Sequence, residues 1–378
     1  MGVELLAGWE SRLRPILTRL PPALAVRLYS TNRKRFLTAL SRLPPRRALR
    51  VSGWDQTVWG LHFRSPLLNA AGMFKNGEGY ELVARQGAGG YLAGTTTHLR
   101  RTGNRRFGVK QPFLPYPRSG AASNWLGLPN DGHRAVARRL ARLERREGCP
   151  IGASVAACPE PEVSEDDKLA QLVTAMNDYE ASGVDFLEVN ESCPNTAEDP
   201  GGMAAVRARL QALADGFLSR RPRRLPVIVK LSCDTALEDV EELIAILVET
   251  GFDGVNFGNT SVAYSRHRAE LERSEVRLFD YFTRSFGGGL SGRLLKADSL
   301  ALVKAAVGAL ERQPPSYEFH VVRTGGVESA ADVDQSLAAG ASLCQWYSGY
   351  FEAFGRYGHR VYARLYADLA KQGSTVAS

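Results

Sequence analysis

Apolar residues in the first fifty positions recur every three or four residues. Leu6, Trp9, Leu13, Ile16, Leu17 and Leu20 share one helical face, with Arg12, Arg14 and Arg19 between them. A second helical stretch, about 23–42, carries Leu24, Leu28, Phe36, Leu37 and Leu40. Pro15 limits the first helix, and LPP segments at 20–22 and 43–45 bracket the second. From residue 57 the pattern changes. TVWGLHFRSP (57–66) reads as a short hairpin. Eight short, β-rich apolar runs then alternate with longer helical patterns: SPLLNAAG (65–72), GGYLAGTT (89–96), PIGASVA (150–156), FLEVN (186–190), PVIVKL (226–231), GVNFGN (254–259), HVVRTGG (320–326) and SLCQWY (342–347). Helices are expected near 77–86, 133–147, 168–182, 203–219, 236–250, 297–311, 329–338 and 351–371. The stretch 236–250 puts Leu237, Val240, Leu243, Ile244 and Leu247 on one face and stops before Gly251. Acidic residues after Ser164 and Thr235 suit helix starts.

Runs that are apolar throughout, not alternating, fit strands covered on both faces. Eight such strands, each followed by a helix, predict a (β/α)8 TIM barrel over residues 51–378, preceded by a basic amphipathic helical extension over 1–50. A doubly wound open sheet is the other arrangement; the count of eight and the chain length favour the barrel. The connections 97–132 and 260–296 are long and follow strand C-termini, so they are expected to be loops that cover a substrate.

Charge sharpens this division. Residues 1–50 hold eleven Arg plus Lys against two Glu, a balance of +9 in a chain whose total is +8, which leaves −1 for the remainder. Nucleic-acid binding is therefore not a property of the main body. The five cysteines, Cys149, Cys158, Cys193, Cys233 and Cys344, are widely spaced without a CxxC pair, so no metal framework is expected. Cys149, Cys233 and Cys344 lie in or beside apolar runs, as small buried hydrophobes do. There is no secretory pattern and no apolar run of membrane-spanning length, which makes a cytoplasmic setting the expectation.

Candidate chemistry gathers at the strand ends. TGGVES (324–329) carries Gly325 and Gly326 into a helix start, and Tyr347-Ser348-Gly349 follows the eighth strand; together they form a candidate phosphate cradle. GGGLSG (287–292) can complete it. Lys230 ends an apolar strand and requires a negative partner there. Asn190, Asn259 and Ser154 bring amides and a hydroxyl to the same mouth, a lining suited to a planar ligand such as a flavin or a pyrimidine. Cys193 lies just past the fourth strand, where a partly ionised thiol can act as a base.

NAAGMFKNGE, SNWLGLPNDG, VNESCPNT, VIVKL, VNFGNTS, GGLSG, RTGGVES and CQWYSG, in this order, resemble the signature segments of the dihydroorotate dehydrogenase family over about 57–355. The resemblance implies an FMN-dependent barrel that oxidises dihydroorotate to orotate in pyrimidine biosynthesis. It implies Cys193 as the base that takes the C5 proton while hydride leaves C6. It implies substrate contacts from Lys75, Asn124, Leu126, Gly127, Leu128, Asn190, Asn195, Asn259 and Thr260. Ala71, Gly72, Lys75, Thr95, Ser154, Asn190 and Lys230 would touch the flavin, and Ser291, Gly292, Gly325, Gly326, Tyr347 and Ser348 its phosphate arm. The subclass features are mixed. Cys193 is the base of the soluble class, whereas the extension, Lys75 and a Gly94-Thr95 turn resemble the membrane class that reduces quinone. Phe74 stands where the family places Asp. The extension favours quinone as the acceptor and peripheral contact with the inner face of the cell membrane. The alternatives are a flavin enzyme of another dihydropyrimidine and a non-catalytic flavin-binding paralogue at the membrane.

Overall fold

The computed structural model describes residues 2–376 except 50, 52 and 192–201, with side chains to Ala370. Its centre is an eight-stranded parallel sheet: β1 (Leu67–Asn69), β2 (Tyr91–Thr96), β3 (Ile151–Val155), β4 (Phe186–Asn190), β5 (Val227–Leu231), β6 (Gly254–Phe257), β7 (His320–Thr324) and β8 (Leu343–Trp346). All eight lie within the runs expected from the sequence. Neighbours pair in chain order from β2 to β8, and β8 pairs with β1. A parallel bridge between Leu68 and Gly90 closes the ring into a (β/α)8 barrel.

That last seam is short, and a side chain extends it. The buried Asn69 donates through Nδ2 to the Leu92 carbonyl at 2.8 Å and accepts from the Leu92 N–H at 3.2 Å. A carboxamide offers one acceptor and donors much as a peptide does, so Asn69 continues the ladder where the main chain diverges.

Side chains inside the barrel follow the two-residue period of the strands. Leu68, Leu92, Phe186, Ile228, Val322 and Leu343 form the lower interior layer, packed from below by Val58 and Phe63 of the hairpin Gln56–Val58/Leu61–Phe63. Gly152 makes room at this level, since a Cβ there would lie 2.2 Å from the Phe186 ring. Two residues further along the strands the interior turns polar: Ser154, Glu188, Lys230, Thr324 and Gln345, joined by Asn256 of β6. The outward strand residues, among them Val155, Leu187, Val189, Val229 and Val255, pack on the surrounding helices through Leu172, Met176, Leu243, Leu247, Leu302 and Val333.

Segments 97–132 and 260–296 are not the simple loops that their length and position suggested. Phe113–Tyr116, Ala121–Asn124 and Gly289–Gly292 form a three-stranded antiparallel sheet, and Arg273–Phe286 is a helix packed on it. Leu278, Phe279, Phe282 and Phe286 recur at helical spacing and fill a second core with Leu114, Tyr116 and Leu290. This cap stands over the C-terminal ends of the barrel strands. Two helices differ from their expected bounds. The helix expected at 133–147 ends at Leu140, and the one expected at 351–371 breaks at Gly358 into Ser348–Tyr357 and Val361–Val376. Gly358 has φ 57°, a conformation that ends a helix and favours glycine.

The extension forms two helices, α1 (Val3–Leu17) and α2 (Pro22–Ser41). α2 inserts Ala25 and Val26 into the core of the cap, and Ser30 Oγ accepts from the Phe113 N–H at 3.0 Å. α1 packs on the helix Ser348–Tyr357 through Val3 and Ala7. Its buried Arg14 pairs with Glu10 and Glu352. The apolar stripe of α1 therefore faces away from the barrel: Leu5, Trp9 and Ile16 are 58%, 59% and 59% exposed. Among the described residues no helix is long and apolar enough to cross a membrane.

Replacing Asn69 by Leu should lower the unfolding free energy by roughly 2–4 kcal/mol, because the Leu92 N–H and C=O lose their buried partners. Urea denaturation of the variant measures this, and a loss below about 0.5 kcal/mol would show that the seam holds without the amide.

Candidate active site

The strand ends and the underside of the cap enclose one cavity of about 1420 Å³. Typical single-ligand pockets hold roughly 300–1,000 Å³, so there is room for more than one ligand. Three groups of residues make up its wall.

The first is a glycine-rich cradle. Gly325 (φ 103°) and Gly326 (φ 73°) carry the chain away from β7 in conformations that side chains resist. Beside them the ten-residue helix Ser348–Tyr357 begins, and its first-turn N–H groups have no acceptor within the helix. Ser348 Oγ lies 3.1 Å from Ser291 Oγ, which the third cap strand delivers together with Gly292. The one acidic group here, Glu328, is paired with Arg293 at 2.7 Å and with Lys296 at 3.5 Å. Hydroxyls, free amides and neutralised charge suit a phosphate.

The second group is the polar floor. Lys230 Nζ donates to Gln345 Oε1 at 3.2 Å and lies 3.9 Å from Glu188 Oε1. Glu188 supplies the negative partner that a buried lysine requires. Burial pulls the Lys230 ammonium below its usual range, and Glu188 partly offsets this. Thr324 donates to Asn256 Oδ1 at 2.9 Å. Glu188, Asn256, Thr324 and Gln345 were not anticipated from the sequence. Their signal is parity: in FLEVN, GVNF, HVVRT and LCQW they stand two places after Phe186, Gly254, Val322 and Leu343.

The third group rings the mouth. Asn190 donates to Thr95 Oγ1 at 3.4 Å and accepts from Asn259 at 3.3 Å, so amides from β4 and the β6 end stand side by side. Asn124 reaches the Gly289 carbonyl at 3.3 Å. Leu126, Gly127, Leu128 and Thr260 line the same edge, opposite Ala71, Gly72 and Lys75. Ser261 pairs through its backbone with Leu290 at 2.9 and 2.8 Å, which fixes the neighbouring Thr260 to the cap. Lys75 is drawn down to about 7 by burial and by the nearby Arg33 guanidinium. Arg33 comes from α2 and donates to the Tyr347 hydroxyl at 2.5 Å, a link between extension and cavity that the sequence did not suggest.

Nearly every anticipated residue thus meets at one cavity. Ser154 stands one layer back, with its hydroxyl 3.0 Å from Thr95 Oγ1. Cys193 and Asn195 lie outside the described residues. Gly94 and Thr95 do not form a turn: they lie within β2 and are joined by a cis peptide. Phe74 is fully buried, stacks on Tyr91 at 6.3 Å between centroids and does not line the cavity. Position 74, where the resemblance implied an Asp, therefore belongs to the packing behind the wall. Cys149, Cys233 and Cys344 are buried, and burial pushes their thiols up to about 12, 12 and 11. Among the described residues no cluster could hold a metal ion.

A family profile described as dihydroorotate dehydrogenase matches residues 54–369. The chain belongs to the dihydroorotate dehydrogenase family. It is 31% identical to the dihydroorotate dehydrogenase (quinone) of an Arthrobacter species, over 83% of this chain and 84% of that one. It is 32% identical to that of Parvibaculum lavamentivorans, over 77% and 76%. The solved structure of a DHODH from Eimeria tenella in complex with ferulenol superimposes with a TM-score of 0.72 at 22% identity, over 92% of both chains. A dihydroorotate dehydrogenase is a flavin-dependent oxidoreductase, and the cradle, the charged floor and the amide rim are residues that fit a flavin.

Lys75 gives a pH signature. Its ordinary value is 10.5, so between about 7 and 10.5 the unfolded chain binds one proton more than the folded protein, and folding stability rises with pH across that window. The parent protein should gain roughly 1–2 kcal/mol over a Lys75→Met variant between pH 7 and pH 10. Denaturant midpoints at the two pH values test this; parallel profiles would place Lys75 in an ordinary, hydrated setting.

Proposed function

We propose that this chain oxidises dihydroorotate to orotate with bound FMN and passes the electrons to a quinone. One observation carries the reading: Lys75, Asn124, Asn190, Asn259, Thr260 and Lys230 share a single cavity with a glycine and serine cradle. The names of the relatives support quinone as the acceptor.

Gly325, Gly326, Ser291, Gly292, Tyr347 and Ser348 would hold the phosphate arm of FMN, and Thr95, Ala71 and Gly72 its ring system. FMN, when bound, supplies the acceptor for the hydride that leaves C6. The chain's own groups do the rest. The Cys193 thiolate takes the proton from C5, and the electron pair of that C–H bond forms the C5=C6 double bond as the C6–H pair departs. Asn124, Asn190, Asn195 and Asn259 offer both donors and acceptors to the pyrimidine ring, which fixes its face and register. Lys75 offers N–H donors to a substrate that bears a carboxylate, and that carboxylate would in turn favour the protonated lysine. Lys230 would lie beside the pyrimidine edge of the flavin, where an ammonium would stabilise negative charge.

The extension supports the acceptor assignment. Leu5, Trp9, Leu13 and Ile16 project from α1 with Arg12 among them and Arg19 just past its end, the composition of an interfacial helix on an anionic bilayer. α2 leads from that surface to the cavity, where Arg33 meets Tyr347. A lipid-dissolved oxidant would approach along this side.

Dihydroorotate added without oxygen should bleach the flavin of the purified protein. A Cys193→Ala variant should stay yellow and be reduced about 10²–10⁴ times more slowly; stopped-flow reduction at the parent rate would remove Cys193 as the base. Trp9→Glu with Ile16→Glu should abolish co-sedimentation with anionic vesicles while turnover of a water-soluble quinone persists. Undiminished vesicle binding would show that α1 is not the docking face.

A further inference from the structure

The polar layer beneath the cavity contains one carboxylate with no role in the chemistry above. Glu188 is fully buried. Asn256 Nδ2 and Gln345 Nε2 each donate to its Oε2 at 2.8 Å. Its Oε1 accepts no hydrogen bond and faces Lys230 Nζ at 3.9 Å.

An ionised carboxylate only accepts, so it dictates the sense of both amides. Their NH2 groups turn down to Glu188, and their carbonyls turn up. The raised Gln345 carbonyl accepts from Lys230 at 3.2 Å, and the raised Asn256 carbonyl accepts from Thr324 at 2.9 Å. Lys230, Thr324 and Gln345 line the cavity; Glu188 and Asn256 lie behind them. The charge of Glu188 is thus relayed to the cavity wall as an arrangement of acceptors. A neutral amide at position 188 would bring an NH2 group of its own into the layer, and Gln345 would be free to turn its donors toward the ammonium.

We propose that Glu188 is a positioning residue that keeps Lys230 protonated and aimed at the cavity, so that a full positive charge stands at the pyrimidine edge of the flavin before any electron arrives. This rests on the placement of FMN beside Lys230 proposed above. The groups facing Lys230 are few. Glu188 of β4 is its carboxylate, and Cys233, beyond the end of β5, is held neutral by burial, which pushes its thiol up to about 12. Gln345, Asn256 and Thr324 are uncharged. Desolvation favours neutral Lys230, and among the described residues Glu188 alone supplies an opposing charge at close range.

Sulfite binding to the oxidised holoprotein provides a test, because a positive charge at the pyrimidine edge strengthens sulfite addition to a flavin and the absorbance change needs no turnover. At pH 8 the Glu188→Gln holoprotein should bind sulfite about tenfold more weakly than the parent, and its affinity should return toward the parent's at pH 6 as Lys230 regains its proton. Glu188→Asp, which keeps the charge, should follow the parent at both pH values. In a Lys230→Met background, Glu188→Gln should have no further effect. Equal or tighter sulfite binding by Glu188→Gln at pH 8, or an effect that survives loss of Lys230, overturns the assignment. If Glu188→Gln alone does not fold, the double variant decides. Its recovery would trace the defect to an unpartnered ammonium and support the pairing; its failure would make Glu188 a structural brace and overturn the proposal. A parent protein that takes up no FMN overturns the proposed function and this inference together, whereas a flavoprotein indifferent to Glu188 overturns this inference alone.

Discussion

A lysine and a glutamate face each other inside a closed barrel, each at most 3% exposed. Few arrangements constrain a fold more strongly. An unpaired charge at such a depth costs several kcal/mol, so each must have the other and both need dipoles around them. Gln345, Asn256 and Thr324 supply those dipoles from three further strands. The layer is satisfied only when β4, β5, β6, β7 and β8 hold their register, because a slip of one residue would turn the polar groups outward. The apolar layer below, with the hairpin beneath it, keeps water from the underside. The polar layer can therefore act on what lies above it in a medium of low dielectric.

Above that floor, the parts of the site come from elements with different duties. The barrel provides charge and amides at fixed strand ends. The cap provides Asn124, Ser291 and Gly292, locked in place by main-chain pairing between Ala121–Asn124 and Gly289–Gly292, and holds Thr260 through the bridge from Ser261 to Leu290. The cradle comes from β7, the helix after β8 and the cap at once. No single element carries the site, which is why the two long insertions have to fold instead of remaining mobile loops.

Much of this is legible in the sequence, for physical reasons. Strands such as FLEVN and PVIVKL are covered on both faces, so they read as short apolar runs, and all eight appear where expected. Helix Val240–Glu249 declared itself by its face of Leu and Ile, although Leu237, expected on that face, lies in the tighter turn before it and is exposed. The cap did not. Its strands, FLPY, AASN and GLSG, are only four residues long, and one of them pairs across more than 160 positions of chain. No local period can reveal such a pairing. The direction of the α1 stripe was equally hidden, since Leu6, Trp9, Leu13 and Ile16 have the spacing of a buried face and yet point outward. The residues that ring the cavity were singled out through ordered motifs. The Glu188 relay was missed because a single polar residue in a strand looks like a defect until its neighbours are brought into register.

The second core also bears on how this chain can be divided. Ala25 and Val26 belong to the same apolar cluster as Leu278 and Phe282, although some 250 positions of sequence separate them. A recombination event near residue 50 would leave each fragment with half a hydrophobic contact and no substitute for the other half. Exchange of the leading segment between homologues should be tolerated only when the lining of the cap travels with it, so the two stretches are expected to be inherited as one unit despite their distance along the gene.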